Sequence, residues 1–196
     1  MTPATTSAAP GTRDRLVRTA SRLMQHGGYE STPVKQLVKE AEATLGSLYH
    51  FFPGGKQELA VAAIAFGDQE FAALLARGLD SRTDPAEAVE AVAVLLAEAL
   101  RDSTWLDGCP VTATALESVG RMPDLQAACA VAFANWRRLV EDKLLANGLS
   151  EDDARDLALT VISTLEGAEM AAQVSESQTP LLVAGRHLSR LISAYA

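Results

Sequence analysis

No stretch of this chain sustains the apolar/polar alternation that a half-buried strand requires, and every periodic segment repeats at three and four residues instead. That property restricts the fold to packed helices. Leu16, Ala20, Leu23 and Met24 make the apolar stripe of a first helix, from about Thr12 to His26, and Gly27-Gly28 stops it. Thr32 as a cap and Pro33 as a first residue predict a short second helix that buries Val34, Leu37, Val38 and Ala41. A third runs from about Thr44 to Phe52 and is closed by Pro53-Gly54-Gly55. Further helices are expected from about Gln57 to Leu79, Pro85 to Asp102, Val111 to Val119, Pro123 to Asn147, Ser150 to Ser175 and Thr179 to Tyr195. The expectation is an all-α protein of about nine helices.

Only Glu42-Ala43 separates the second helix from the third, so a helix-turn-helix geometry is available there. Charge divides the chain near the same place. Taken whole, 17 basic residues face 25 acidic ones, net −8, a balance that by itself argues against nucleic acid. Residues 12–60, however, hold seven basic side chains (Arg13, Arg15, Arg18, Arg22, Lys35, Lys39, Lys56) and five acidic ones (Asp14, Glu30, Glu40, Glu42, Glu58). The other ten basic and twenty acidic residues lie beyond, so a +2 head precedes a −10 body. The expected organisation is a disordered arm at 1–11, a three-helix head at 12–56 and a helical body at 57–196. The arm has neither the basic start nor the apolar centre of a signal peptide.

A chain of 196 residues, 48% hydrophobic, can build its core without a disulfide or metal staple. Cys109 and Cys129 lie apart with no CxxC or Cys/His cluster around them, which reads as two reduced thiols rather than a disulfide framework or zinc site. No uncharged apolar run approaches the ~20 residues of a membrane span. There is no nucleophile elbow, P-loop, HExxH or carboxylate–histidine set on one helix, so no enzyme, cofactor or metal is expected.

The sharpest feature is Gly46-Ser47-Leu48-Tyr49-His50-Phe51-Phe52-Pro53-Gly54-Gly55-Lys56. Leu48 and Phe52, at i and i+4, suit inward anchors and leave Gly46, Ser47, Tyr49 and His50 on the other sides. A glycine early in a short helix costs about 1 kcal/mol against alanine. Close approach of a backbone without Cβ to a partner surface can offset that cost. A hydroxyl, a phenol and an imidazole on such a face suit the major groove, and Lys56 at the next helix start suits a phosphate. Arg15, Arg18 and Arg22, at i, i+3 and i+7, either steer toward phosphate or form a solvated face.

Thr32 through Leu59 resembles the DNA-binding signature of TetR-family transcriptional regulators. Pro53-Gly54-Gly55-Lys56, with Gly108-Cys109-Pro110-Val111, is similar to the LmrA/YxaF branch. The resemblance implies a ligand-responsive regulator, cytoplasmic and nucleoid-associated in a bacterium. It implies a homodimeric repressor released from a near-palindromic double-stranded DNA operator by a small amphipathic or aromatic effector. A ligand-blind architectural or partner-binding DNA protein is the alternative. The DNA-facing positions carried over are Thr32, Thr44, Leu45, Gly46, Tyr49, His50 and Lys56, and Lys35 and Ser47 complete the DNA-facing candidates. The chain departs from the family pattern at Glu42, where the turn usually has glycine, at Ala43, which replaces a larger apolar residue, and at Leu45, which stands where a polar or basic residue is common.

Within the body, Phe66, Trp105, Phe133 and Trp136, with Cys109, Glu117, Glu166 and Met170, are the expected lining of an effector pocket. The aromatics read equally well as core filling. Leu157, Val161, Leu165, Ala168 and Ala172 form one stripe; Leu181, Gly185, Leu188, Ile192 and Tyr195 form another. Both suit an isologous four-helix dimer interface, or else the chain's own core. A two-fold dimer would hold its recognition helices about 34–36 Å apart.

Overall fold

A computed structural model describes residues 11–195; the expected arm at 1–11 lies, but for Gly11, outside them. The described residues form nine α-helices and no strand. They are α1 (Thr12–Gly27), α2 (Val34–Glu40), α3 (Leu45–Phe51), α4 (Lys56–Asp80), α5 (Pro85–Asp102), α6 (Thr112–Ser118), α7 (Pro123–Ala146), α8 (Glu151–Ser175) and α9 (Thr179–Ser193). Caps set several of these starts. Thr44 accepts from the Ser47 amide, Asp84 from the Glu87 amide and Ser150 from the Asp153 amide.

In the head, Leu16, Ala20 and Met24 of α1 meet Leu37, Val38, Ala41, Leu48 and Phe52 in one buried core. The turn between α2 and α3 is a Schellman motif. The Glu42 amide donates to the Lys39 carbonyl at 3.2 Å and the Ala43 amide to the Val38 carbonyl at 2.9 Å. Such a motif needs a left-handed residue just past the helix, and Glu42 occupies that place with φ 50°. The turn therefore keeps the glycine geometry without the glycine. Arg15 of α1 holds it: Nε donates to the Ala41 carbonyl at 3.0 Å and Nη2 to the Glu42 carbonyl at 3.2 Å.

One expected cap is corrected. Thr32 does not cap α2; its hydroxyl donates to the Gly28 carbonyl four residues back, at 2.8 Å, and the residue is buried. Pro33 takes the cap position with extended backbone and no side-chain bond. A threonine hydroxyl close to a free carbonyl at i−4 finds a partner there in place of an amide ahead of it.

In the body, α4 packs against α1, α5 and α7, α9 against α5 and α8, and α7 against α8. Among the described helices α4 alone is long and apolar enough to cross a membrane. Here Leu59, Ile64, Phe71, Leu75 and Leu79 carry that apolarity into the core. The stripes expected at a dimer interface also point inward, which corrects that reading. Leu157, Val161, Leu165 and Ala172 of α8 and Leu181, Gly185, Leu188 and Ile192 of α9 are buried within one chain, Ala168 is half-buried and Tyr195 is exposed. Gly185 lies so close to α5 that a Cβ would stand 2.6 Å from that of Ala93.

Because a non-glycine residue in the left-handed region is strained, Glu42→Gly should stabilise the protein by about 1 kcal/mol. Urea denaturation should show a higher midpoint at unchanged slope.

Candidate nucleic-acid interface and head–body cavity

Burying Leu48 turns the rest of α3 outward. Thr44, Leu45, Gly46, Tyr49 and His50 are exposed and Ser47 is half-buried. The first turn is drawn tight, with the Ser47 amide 3.0 Å and its hydroxyl 2.9 Å from Thr44 Oγ1. Space around Gly46 is open: a Cβ would meet only Thr44 Oγ1, at 3.7 Å. Lys35 is exposed on α2. Lys56 is half-buried, its Nζ 4.0 Å from the centre of the Tyr29 ring. Burial lowers its pKa, against the opposing pull of Glu30 and Glu117. Thr32 differs from the other DNA-facing candidates, since its buried hydroxyl is already bonded.

The arginine stripe of α1 is solvated, Arg18 and Arg22 exposed and Arg15 half-buried, yet each side chain has a partner. Arg15 holds the turn, Arg22 pairs with Glu40 of α2, and the Arg18 guanidinium stacks 4.8 Å from the Phe66 ring centre of α4. Each ties α1 to another element.

Between head and body lies a cavity of about 460 Å³. Arg18, Ser21 and Gln25 of α1 form one wall, Phe66 and Phe71 of α4 another, and Glu169 of α8 also lines it. Polar ties cross the same junction. Gln25 Nε2 donates to the Gly108 carbonyl at 2.6 Å, and His26 Nε2 lies 2.5 Å from Asp107 Oδ1. Glu117 Oε2 accepts from the amides of Tyr29 and Glu30, at 2.6 and 3.1 Å. Gly28, at φ 78°, admits that carboxylate; a Cβ would stand 2.7 Å from Glu117 Oε1.

Behind the cavity wall three ionisable groups gather: Cys109, Glu166 and Glu169. Burial pushes the Glu169 carboxyl well up, with Glu166 adding to it. Burial raises Glu166 as well, although the Thr112 hydroxyl donates to its Oε2 at 2.7 Å. The Cys109 thiol is raised by burial and by both acids, so it is no activated thiolate, and burial pushes Cys129 up to about 11.

Of the expected pocket residues, Phe66 lines the cavity, while Cys109 and Glu166 stand beside its lining residue Glu169. The others lie elsewhere. Glu117 binds the amides at the end of α1. Trp136 is fully buried against Phe71 and Phe133, its Nε1 donating to the Asp68 carbonyl at 3.3 Å. Met170 is exposed, and Trp105 is half-buried in a turn with φ 65°. The sequence reading missed Arg18, Ser21, Gln25 and Glu169 as lining. Glu169 had a signal: it falls on the inward stripe of α8, between Leu165 and Ala172.

A three-helix head that presents a short exposed helix behind a tight turn, seated on a helical body, defines a helix-turn-helix DNA-binding transcriptional regulator. The family description "Bacterial regulatory proteins, tetR family" matches residues 16–63, and "Transcriptional regulator LmrA/YxaF-like, C-terminal domain" matches residues 85–187. The chain is 34% identical to the HTH-type transcriptional regulator YxaF of Bacillus subtilis over 180 residues, covering 92% of this chain and 94% of that one. LmrA of the same organism is 33% identical with the same coverage. A TetR transcriptional regulator from Chloroflexus aurantiacus, solved by crystallography, superposes with a TM-score of 0.75 at 29% identity, covering 93% of this chain and 94% of that one. The chain belongs to the TetR family, with an LmrA/YxaF-like body; it is a transcriptional regulator, not an enzyme.

Replacing Glu117 by alanine leaves two amides at the head–body junction without their acceptor. Thermal unfolding should show a loss of about 1 kcal/mol. Leu116→Ala, its exposed neighbour, should change stability by less than about 0.5 kcal/mol.

Proposed function

We propose that this regulator is a homodimeric, ligand-responsive repressor of a near-palindromic operator, acting in the bacterial cytoplasm at the nucleoid. The observation that carries the reading is that α1 is shared. Its inner face builds the core under α2 and α3, while Arg18, Ser21 and Gln25 wall the cavity. A molecule that widens or tightens the cavity must therefore move the helix on which the head is assembled. The effector needs only a preference of a few kcal/mol for the displaced arrangement.

The DNA-facing set is Lys35, Thr44, Leu45, Gly46, Ser47, Tyr49, His50 and Lys56. Tyr49, His50 and Lys56 meet phosphates, and the first turn of α3 meets base edges, where Leu45 offers apolar contact to a thymine methyl. Thr32 contributes through its backbone alone. The +2 head and −10 body favour a head-down approach. For dimerisation, exposed Leu159, Gly167, Met170 and Val174 share the outer face of α8 and stand in for the inward stripe, with Val183 and Leu191 on α9.

A band-shift against the DNA upstream of the chain's own gene, at several salt concentrations, tests the reading. A palindromic fragment should be preferred over random duplex, Tyr49→Phe should weaken binding several-fold, and Met170→Glu should yield a folded monomer that binds weakly. Equal binding to random duplex would refute the operator. A melting temperature indifferent to a broad panel of aromatic and amphipathic compounds would favour the ligand-blind alternative.

A further inference from the structure

Cys109 sits in the turn between α5 and α6, and Glu166 and Glu169 sit one turn apart on α8. One donor atom from each lies within 4.8 Å of the others. Two oxygens of the pair, Glu166 Oε1 and Glu169 Oε2, are buried with no hydrogen-bond partner among the described residues, and Glu169 is only 5% exposed. Buried carboxyl oxygens without partners are costly, and clustering them beside a thiol compounds the cost. A cation bound among them removes the penalty.

We propose that Cys109, Glu166 and Glu169 form a binding site for a thiophilic divalent cation, Zn²⁺ above all, that links the Gly108–Val111 turn to α8. A sulfur and two carboxylate oxygens suit the borderline-soft zinc ion, whereas magnesium and calcium take all-oxygen sets with more ligands. Zinc bonds of about 2.0–2.3 Å place its ligands roughly 3.5 Å apart, within reach of side-chain rotation from the observed cluster. Thr112 is a ready outer support: its hydroxyl donates to Glu166 Oε2 at 2.7 Å and leaves Oε1 for the metal. The cavity that Glu169 lines supplies an entry path and space for a water molecule as fourth ligand.

Binding releases the protons of the donor groups, so affinity rises with pH. Occupancy is also sensed by the head, because the Gly108 carbonyl beside Cys109 accepts from Gln25 of α1. The site stands independently of the organic effector and of the sign of regulation.

The test uses the full-length protein, stripped with a chelator and titrated with Zn²⁺ against a chromophoric competitor, then with Co²⁺ under visible and near-ultraviolet light. One equivalent per chain should bind, with net proton release and a thiolate-to-cobalt charge-transfer band. Cys129→Ser should keep all three signals. Cys109→Ser should abolish the band, and Glu169→Gln should weaken zinc binding at least tenfold, with circular dichroism confirming that both variants fold. Absence of a stoichiometric equivalent, or cobalt bound without a thiolate band, would overturn the proposal. Proton release on the unmodified protein gives a readout that does not depend on the variants, and its absence would count equally against the site.

Discussion

Arg15 reaches from α1 to the carbonyls of Ala41 and Glu42, where α2 stops and the chain turns into α3. Those carbonyls close a helix C-terminus, where the backbone carries partial negative charge and a guanidinium fits. Without that hold, the left-handed Glu42 would be a strained residue stabilised only by its own amide bond and that of Ala43. With it, the angle of α3 becomes a property of α1. Arg22, paired with Glu40, and the packing of Leu16 and Ala20 under α2 and α3 reinforce the same dependence.

The other side of α1 gives that dependence its functional sense. Arg18 stacks on Phe66, Gln25 bonds the Gly108 carbonyl, and the chain just beyond α1 donates two amides to Glu117. Most of these ties are part-exposed, and each contributes about 1 kcal/mol or less to global stability. They are suited to being rearranged, unlike the Leu59, Ile64 and Phe71 contacts of α4 beneath them. The junction thus combines apolar packing of α1 on α4 with polar contacts that can be replaced, alongside a cavity large enough for a small molecule. Deep in the body, acids whose carboxyls burial pushes up give the cavity a chemistry unlike that of its arginine-bearing wall.

Features set by local chemistry were legible in the sequence. Thr44, Asp84 and Ser150 cap helices because each side chain meets an amide three residues on, a relation contained in the sequence itself. The resemblance at residues 32–59 likewise picked out α3 because its exposed and buried sides follow from seven residues. Thr32 was misjudged where two local partners competed and the carbonyl behind it won. The stripes of α8 and α9 were read correctly as apolar, but periodicity does not say whether a stripe faces its own core or a second chain. Here both face their own core, α9 packing on α5 and α8 on α7, and Gly185 is small to let Ala93 approach. The cavity was least legible, since its walls come from α1, α4, α5 and α8 and from the turn before α6, brought together only by the tertiary fold. Glu117 looked like a pocket acid because its true partners, Tyr29 and Glu30, lie in the head.

The central claim is that the state of the cavity sets the position of the recognition helices. Both native cysteines are buried, so Lys39→Cys on the outer side of α2 offers a selective site for a spin label. Pulsed dipolar distances between the labels of the proposed dimer should be measured with and without Ala99→Trp, which fills the cavity from α5. The distance is predicted to change by several ångströms, with a parallel loss of operator affinity, while the melting temperature stays close to that of the parent. A filled cavity with an unchanged label distance and unchanged operator affinity would contradict it.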